Sequence, residues 1–236
     1  MKRFITSAFL IIFYSINAQS YTPPNGYQPS YSSALSVNSL GGGHAVFGVK
    51  SENSNKVLKY DEIIGSPYFD KQFHLASVAT DYEKASVRYN SYLDEIEFER
   101  DGKPLVLPKE EKFSRIKFSN SNSTIVLLET KDDLTGYFFE LISGSNALYK
   151  KNKIKFIDAV PALNSYATDR PAIFKILDPV YYIKTENGFI KKPKNQKEIL
   201  EQFPDKKEAL SAFFKENKIK FDKEEDLKKL VSFLNQ

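Results

Sequence analysis

The stretch that decides the fold is YNSYLDEIEFERDGKPLVL, residues 89–107. Acidic and apolar residues alternate through its middle, in the order Glu95, Ile96, Glu97, Phe98, Glu99. Because successive side chains of a strand point to opposite faces, this order places the acids on one face and the apolar groups on the other. Such alternation is typical of a half-buried strand, so we expect the glutamates to meet solvent.

The pair Asp101-Gly102 predicts a tight turn within the same stretch. Aspartate followed by glycine favours a two-residue type I′ connection, since both central residues take positive φ. Such a loop would place three pairs of residues opposite each other: Arg100 and Lys103, Phe98 and Leu105, Ile96 and Leu107. The turn and the alternation thus predict the same buried face of an antiparallel hairpin.

Further strand signals recur at intervals of about ten residues after the hairpin, with more scattered ones before it. Residues 44–193 therefore predict a mainly β domain, either an antiparallel barrel-like sheet or a sandwich. A second strong turn signal, Asn187-Gly188, predicts another type I′ connection near the end of this domain.

The apolar period changes from two to 3.6 near the C-terminus, so residues 194–236 predict a small helical appendage that packs on the β domain. One amphipathic stripe is clear and contains Leu227, Leu230, Val231 and Leu234. Two acid pairs with capping-box spacing predict helix starts: Asp205 with Glu208, and Asp222 with Glu225.

The N-terminus has the composition of a secretory signal peptide. Lys2 and Arg3 precede a mostly apolar run over residues 4–16, and Ala18 is a small residue before a cleavage point. The run is short for a permanent span of about 20 residues, and an uncleaved anchor is the alternative. We expect residues 1–18 to be removed, with no transmembrane segment left and export to the periplasm or the cell surface.

Residues 19–43 predict a flexible tether, because they are rich in Ser, Tyr, Pro and Gly and contain few aliphatic side chains. The chain has no cysteine, which excludes disulfides, thiolate nucleophiles and Cys-ligated zinc. Its formal net charge of +4 comes from interspersed lysines and acids rather than from a basic stripe. We therefore expect no nucleic-acid partner, and no cofactor or metal site is predicted.

Two kinds of catalytic group remain open. The two histidines, His44 and His74, have no nucleophile elbow or zinc motif beside them, although a Ser-His-Asp arrangement needs no closeness in sequence. Glu95 and Glu97 would lie about 6.6 Å apart along a strand, which suits an inverting glycosidase pair. A solvated strand face produces the same alternation and is the alternative explanation for these glutamates.

Candidate ligand or partner contacts are tyrosines and residues of one long loop. Tyr89, Tyr92 and Tyr181 lie in or beside predicted strands, where a tyrosine offers contact area with a polar tip. Packing within the sheet is the alternative role for all three. Asn164 and Tyr166 lie in the irregular stretch 158–169, and long loops on a β scaffold often carry binding groups.

The stretch from Arg88 to Phe98 resembles a loose family of exported proteins of unassigned function from Bacteroidota-type bacteria. Further similarity lies in GSPY (65–68), ALYKK (147–151), VYYIK (180–184) and the ending EEDLKKLVSFLN (224–235). The resemblance implies a cell-envelope location and brings no catalytic residues.

These observations favour a non-enzymatic binding or assembly module that meets an unidentified protein or glycan partner in the cell envelope. The export signal, the strand spacing, the tether and the scarcity of catalytic residue types support this expectation. One alternative is a carboxylate-dependent hydrolase that acts on envelope glycan. Another is a structural component that docks to an outer-membrane complex through its tether or its helices.

Overall fold

The computed structural model describes residues 48–80, 82–100, 103–162, 164 and 166–236. The expected signal peptide, the tether and the first residues of the β domain lie outside these ranges. The Asp101-Gly102 turn lies outside them too, so its type stays a prediction.

The described part of the chain is mainly β, as the strand signals predict. Its fourteen strands are β1 (Gly48–Lys50), β2 (Val57–Lys59), β3 (His74–Ser77), β4 (Ala85–Asn90), β5 (Glu95–Arg100), β6 (Lys103–Val106), β7 (Arg115–Phe118), β8 (Thr124–Leu128), β9 (Gly136–Ile142), β10 (Ala147–Lys151), β11 (Ile154–Ile157), β12 (Ile173–Ile176), β13 (Val180–Thr185) and β14 (Gly188–Lys191).

Ten strands form one antiparallel sheet in the order β14-β13-β10-β9-β8-β7-β3-β4-β5-β6. Strands β14 and β6 are its edges, and the sheet is not closed into a barrel. Two separate two-stranded sheets pair β1 with β2 and β11 with β12. The connection between β11 and β12 contains the long loop that the sequence predicts.

The predicted register of the β5–β6 hairpin is confirmed. Phe98 lies opposite Leu105, and the N–H of Leu107 donates to the carbonyl of Ile96 at 2.8 Å. Ile96 is fully buried, whereas Leu105 is 44% exposed on the edge strand. The face of the hairpin that carries Ile96 is therefore buried at the open end and becomes exposed toward the turn.

The predicted solvent exposure of the glutamate row is wrong at its centre. Glu99 is exposed and Glu95 is half-buried, but Glu97 has no exposed surface. Tyr68, from the segment before β3, donates to the Glu97 carboxylate and covers this face of β5. Both faces of the strand are therefore covered at its centre.

The second predicted type I′ turn is wrong. Thr185 pairs with Gly188, so the two loop residues are Glu186 and Asn187, and neither has a positive φ. Gly188 has φ 121°, which places the positive-φ residue after the turn, as in hairpins with a type I turn followed by a bulge.

Three α-helices follow the last strand: α1 (Gln196–Gln202), α2 (Lys207–Glu216) and α3 (Glu224–Leu234). All four residues of the predicted α3 stripe are buried, and they share one core cluster with Leu148, Ile183 and Ile190 of the sheet. In the part of the chain that the structure describes, no helix is long and apolar enough to cross a membrane.

Neither predicted capping box forms. Asp205 lies inside a short 3-10 turn, and α2 starts after it with Lys206 at the N-cap. Asp222 lies one residue before Lys223, the N-cap of α3. The side chains of both lysines make no capping hydrogen bond, so packing of the apolar faces carries the stability of these helices.

Candidate functional site

A pocket of about 230 Å³ opens between the segment before β3, strand β4 and the turn that joins β7 to β8. Its aromatic lining consists of Phe69, Tyr89, Phe118 and Phe139. Its polar lining includes Asp70, Gln72, His74, Asn120, Ser121 and Ser123. Sites for drug-sized ligands occupy roughly 300–1,000 Å³, so this pocket suits a single ring.

The pocket exists because β3 is short. Strand β3 starts at His74, which pairs with Val87, so residues 88–90 of β4 have no partner on that side. Strand β7 lies on the other side of β3. Beyond His74 no strand of the sheet separates β4 from the β7–β8 turn, and the pocket occupies this position.

His74 is held from both sides of its ring. Its Nε2 lies 2.7 Å from Oδ2 of Asp70, and its Nδ1 lies 2.8 Å from Nδ2 of Asn120. When the Asn120 amide donates to Nδ1, the imidazole proton lies on Nε2 and is donated to Asp70. The backbone N–H of Gln72 and the His74 ring hold the pKa of Asp70 below its usual range.

This geometry does not provide a Ser-His-Asp nucleophile. Ser121 and Ser123 line the same pocket, but both nitrogens of His74 already have partners. A general base needs a free nitrogen within hydrogen-bond reach of the hydroxyl that it deprotonates. The arrangement is suited to fixing the shape of the pocket.

Neutral polar groups are left for a ligand. In the described part of the chain, the side chains of Gln72 and Ser123 bond to no other residue, and Asn120 uses only its amino group. The charged groups of the lining, in contrast, are satisfied within the protein, Asp70 by His74 and Arg88 by Glu97. The pocket therefore offers uncharged donors and acceptors beside aromatic rings.

A buried ion pair lies on the other face of β4 and β5, and its arginine, Arg88, also lines the pocket. Nε of Arg88 donates to Glu97 at 2.7 Å, and Tyr68 and Asn90 each donate to the same carboxylate at 2.9 Å. These hydrogen bonds offset the cost of burying the Glu97 charge. Burial and the neighbouring carboxylate raise the pKa of Tyr68, which keeps its hydroxyl protonated.

Arg88 connects this network to the segment that forms one wall of the pocket. Its Nη1 donates to the carbonyl of Lys71 at 3.2 Å. Its guanidinium lies over the rings of Tyr68 and Phe73, at 4.0 and 4.4 Å from their centroids. The Glu97–Arg88 pair therefore fixes residues 68–73, which include three of the lining residues.

Tyr89 connects the pocket to a second polar cluster. Its hydroxyl donates to Asp94 at 2.6 Å, and Lys151 and Lys109 donate to the same carboxylate at 2.5 and 3.1 Å. Burial lowers the pKa of Lys151, although Asp94 acts against this shift. The Tyr89 ring also packs edge-on against Phe139 with 5.8 Å between centroids. The side chain of Tyr89 is therefore held both at its ring and at its hydroxyl.

Among the site residues proposed from the sequence, the structure places Tyr89 in the pocket lining. Glu97 lies in the buried ion pair, and Glu95 is half-buried, with its pKa raised by burial. Neither glutamate lines the pocket. The two carboxylates therefore do not combine with the pocket into one site.

The other proposed contacts lie in separate places. Tyr92 packs against Phe156 and Phe174 in a different core cluster. Tyr181 belongs to the core between the sheet and the helices. Asn164 and Tyr166 are exposed on the β11–β12 connection and do not line the pocket.

Sequence reasoning missed most of the polar lining. Asp70 and His74 are four residues apart, a spacing that could have pointed to their contact. Asn120 lies 46 positions after His74, and no local pattern joins them. Their contact depends on the order of strands in the sheet, which no local sequence pattern indicates.

Comparison with protein-family models, with curated proteins and with solved structures found no match to this chain. Among the described residues, no group of three or more His, Cys, Asp or Glu side chains could hold a metal ion. The geometry of the pocket is therefore the basis for a functional proposal.

Proposed function

We propose that the chain is an exported, non-enzymatic binding module that holds a small neutral ring, of the kind found in a glycan, in the pocket beside β3. The composition of residues 1–18 supports export. Recovery of a chain that begins at Gln19 from the periplasmic fraction would support this part of the proposal, and recovery of a chain that retains Met1 from the cytoplasmic fraction would contradict it.

The observation that carries the binding proposal is the combination of aromatic walls with uncharged hydrogen-bonding groups. Sugar rings have an apolar face that packs on aromatic side chains such as Phe69, and hydroxyls that bond to amides and other hydroxyls. Gln72, Asn120 and Ser123 supply such groups. An anionic ligand would meet the carboxylate of Asp70 and an arginine, Arg88, that Glu97 already neutralises.

The burial of Glu97 argues against the glycan-hydrolase alternative. A catalytic carboxylate has to reach the bond that it cleaves, and Glu97 has no exposed surface and several hydrogen-bond donors around it. Glu95 has a raised pKa, as a general acid requires, but it does not line the pocket. Binding without turnover agrees better with this arrangement.

Calorimetric titration of the chain with neutral monosaccharides and short envelope-glycan fragments tests the proposal. We expect Phe69→Ala and Gln72→Ala each to weaken binding about fivefold, because each change removes one contact worth roughly 1 kcal/mol. Both side chains are substantially exposed, so the fold should tolerate their removal.

The matched control is Leu75→Ala, since Leu75 is an exposed apolar residue of β3 that does not line the pocket. Binding that Leu75→Ala leaves unchanged and that both pocket variants weaken supports the proposal. Binding that all three variants leave unchanged would contradict it.

A further inference from the structure

A row of three isoleucines crosses the outer face of the β11–β12 sheet. Ile157 lies opposite Ile173, and Ile64 forms a parallel bridge to Ile173 on the other side. Ile64 is 59% exposed and Ile157 is 38% exposed. The opposite face of the sheet carries Phe174, which is buried in a core cluster, so this apolar row is additional to the core.

A pair of lysines lies next to this row on the same face. Lys155 and Lys175 are directly opposite each other, two residues along the strands from Ile157 and Ile173. Like charges in directly opposite positions destabilise a sheet. Both lysines are exposed, and within the described residues neither forms an ion pair. The face therefore combines unneutralised positive charge with exposed apolar surface.

The acids of the same hairpin are engaged by other groups and not by the two lysines. Asp158 accepts hydrogen bonds from the Ser51 hydroxyl and the Asn53 N–H, both at 3.1 Å. Asp169 accepts from the N–H of Ala162 at 2.7 Å. Both carboxylates are engaged by these neutral donors, and among the described residues neither forms an ion pair with Lys155 or Lys175.

The connection between the two strands carries a further exposed side chain, which is aromatic. Tyr166 is fully exposed, and the stretch from residue 159 to residue 168 contains no charged residue. Tyrosine is enriched at membrane–water interfaces, because its ring is apolar and its hydroxyl is polar. An exposed tyrosine, exposed isoleucines and unpaired lysines are the elements of an interfacial lipid-binding surface.

We propose that the outer face of the β11–β12 hairpin binds an anionic lipid surface. Lys155 and Lys175 contact the headgroups, and Tyr166 with Ile64 and Ile157 enters the interfacial region. Charge complementarity selects this occupant, since a neutral apolar partner would leave two opposed lysines covered without a counter-charge. The proposal is independent of the pocket.

Co-sedimentation with vesicles tests the proposal, with the chain from Gln19 onward as the sample. One set of vesicles is pure phosphatidylcholine, and the other is an equimolar mixture of phosphatidylcholine and phosphatidylglycerol. We expect binding to the mixed vesicles that added salt weakens, because it screens the lysine charges. In Lys155→Gln/Lys175→Gln, binding should fall about twentyfold or more, at roughly fivefold for each lysine. Tyr166→Ser should reduce it as well.

The control is Lys207→Gln/Lys215→Gln, which removes two exposed lysines of α2 and the same amount of charge. A loss specific to the hairpin variants supports the proposal. Three results would overturn it: no preference for anionic vesicles, an equal loss in the α2 control, or a dimer in sedimentation analysis that the hairpin variants dissociate. The last result would assign the face to a second copy of the chain.

Discussion

At the residue scale, Glu97 and Arg88 tie the β4–β5 pair to the segment that forms one wall of the pocket. The two side chains form an ion pair without exposed carboxylate surface, and Arg88 also reaches the carbonyl of Lys71. Removing one partner of such a pair leaves the other charge buried without compensation. Glu97 therefore helps to hold the wall of the pocket in place through its ion pair with Arg88.

We expect Glu97→Gln to lower the free energy of unfolding by about 3 kcal/mol, because the Arg88 charge loses its buried partner. Urea unfolding followed by tyrosine fluorescence measures this change. Glu99→Gln is the matched control, since Glu99 is an exposed glutamate two residues along the same strand, and it should change stability by no more than about 0.5 kcal/mol. Equal effects of the two substitutions would contradict the assigned role of Glu97.

Alternation along β5 predicted which side chains share a face, but it could not predict what covers that face. Glu97 is buried because Tyr68, 29 residues earlier, lies over it. Contacts between distant segments decide other positions as well. At Gly136, which has φ 143°, a Cβ would lie 1.8 Å from Oδ2 of Asp94. The glycine therefore permits the close approach of the β4–β5 turn, which carries Asp94. Neither contact has a local sequence pattern.

At the scale of elements, α3 is attached to the sheet by an apolar stripe and by a polar contact at its first turn. The stripe could be predicted because helix spacing alone defines it. The polar contact joins Glu224 to Lys150 of β10 at 2.8 Å and to Lys228, one turn along the helix, also at 2.8 Å. Its first part spans 74 positions, so the sequence could not predict it.

The attachment of α3 should weaken in acid. Burial alone would raise the pKa of Glu224, but the hydrogen bonds from Lys150 and Lys228 outweigh it and lower the pKa. A carboxyl group with a lowered folded-state pKa stabilises the fold above its unfolded pKa, near 4.3, and this contribution is lost as the pH falls through the folded value.

Thermal unfolding between pH 7 and pH 3 measures this dependence. Glu224→Gln should cost up to about 1 kcal/mol at pH 7 and progressively less toward pH 3, because the contact is partly exposed. Glu225→Gln, which changes the next and more exposed residue, should show a smaller effect at every pH. A cost of Glu224→Gln that stays constant with pH would contradict the assignment.

At the scale of the whole molecule, the pocket follows from the order and the lengths of the strands. Strand β3 lies between β7 and β4 and starts only at His74. Because the strand does not extend beyond His74 in that direction, it leaves the space that the pocket occupies. The strand signals located most of these elements, and the turn signal between β5 and β6 predicted the register of those two strands. The order of strands along the sheet depends on long-range pairing. For this reason the set of residues that line the pocket could not be predicted from local sequence patterns.

Amide chemical shifts recorded during titration with neutral monosaccharides and short glycan fragments test the central claim most directly. If a neutral ring binds in the pocket, shifts should concentrate in residues 69–74, in Tyr89 and in residues 118–125, with saturation at one ligand per chain. Saturable shifts at Glu95 or in the β11–β12 hairpin that leave these residues unchanged would contradict the claim, as would the absence of any saturable shift.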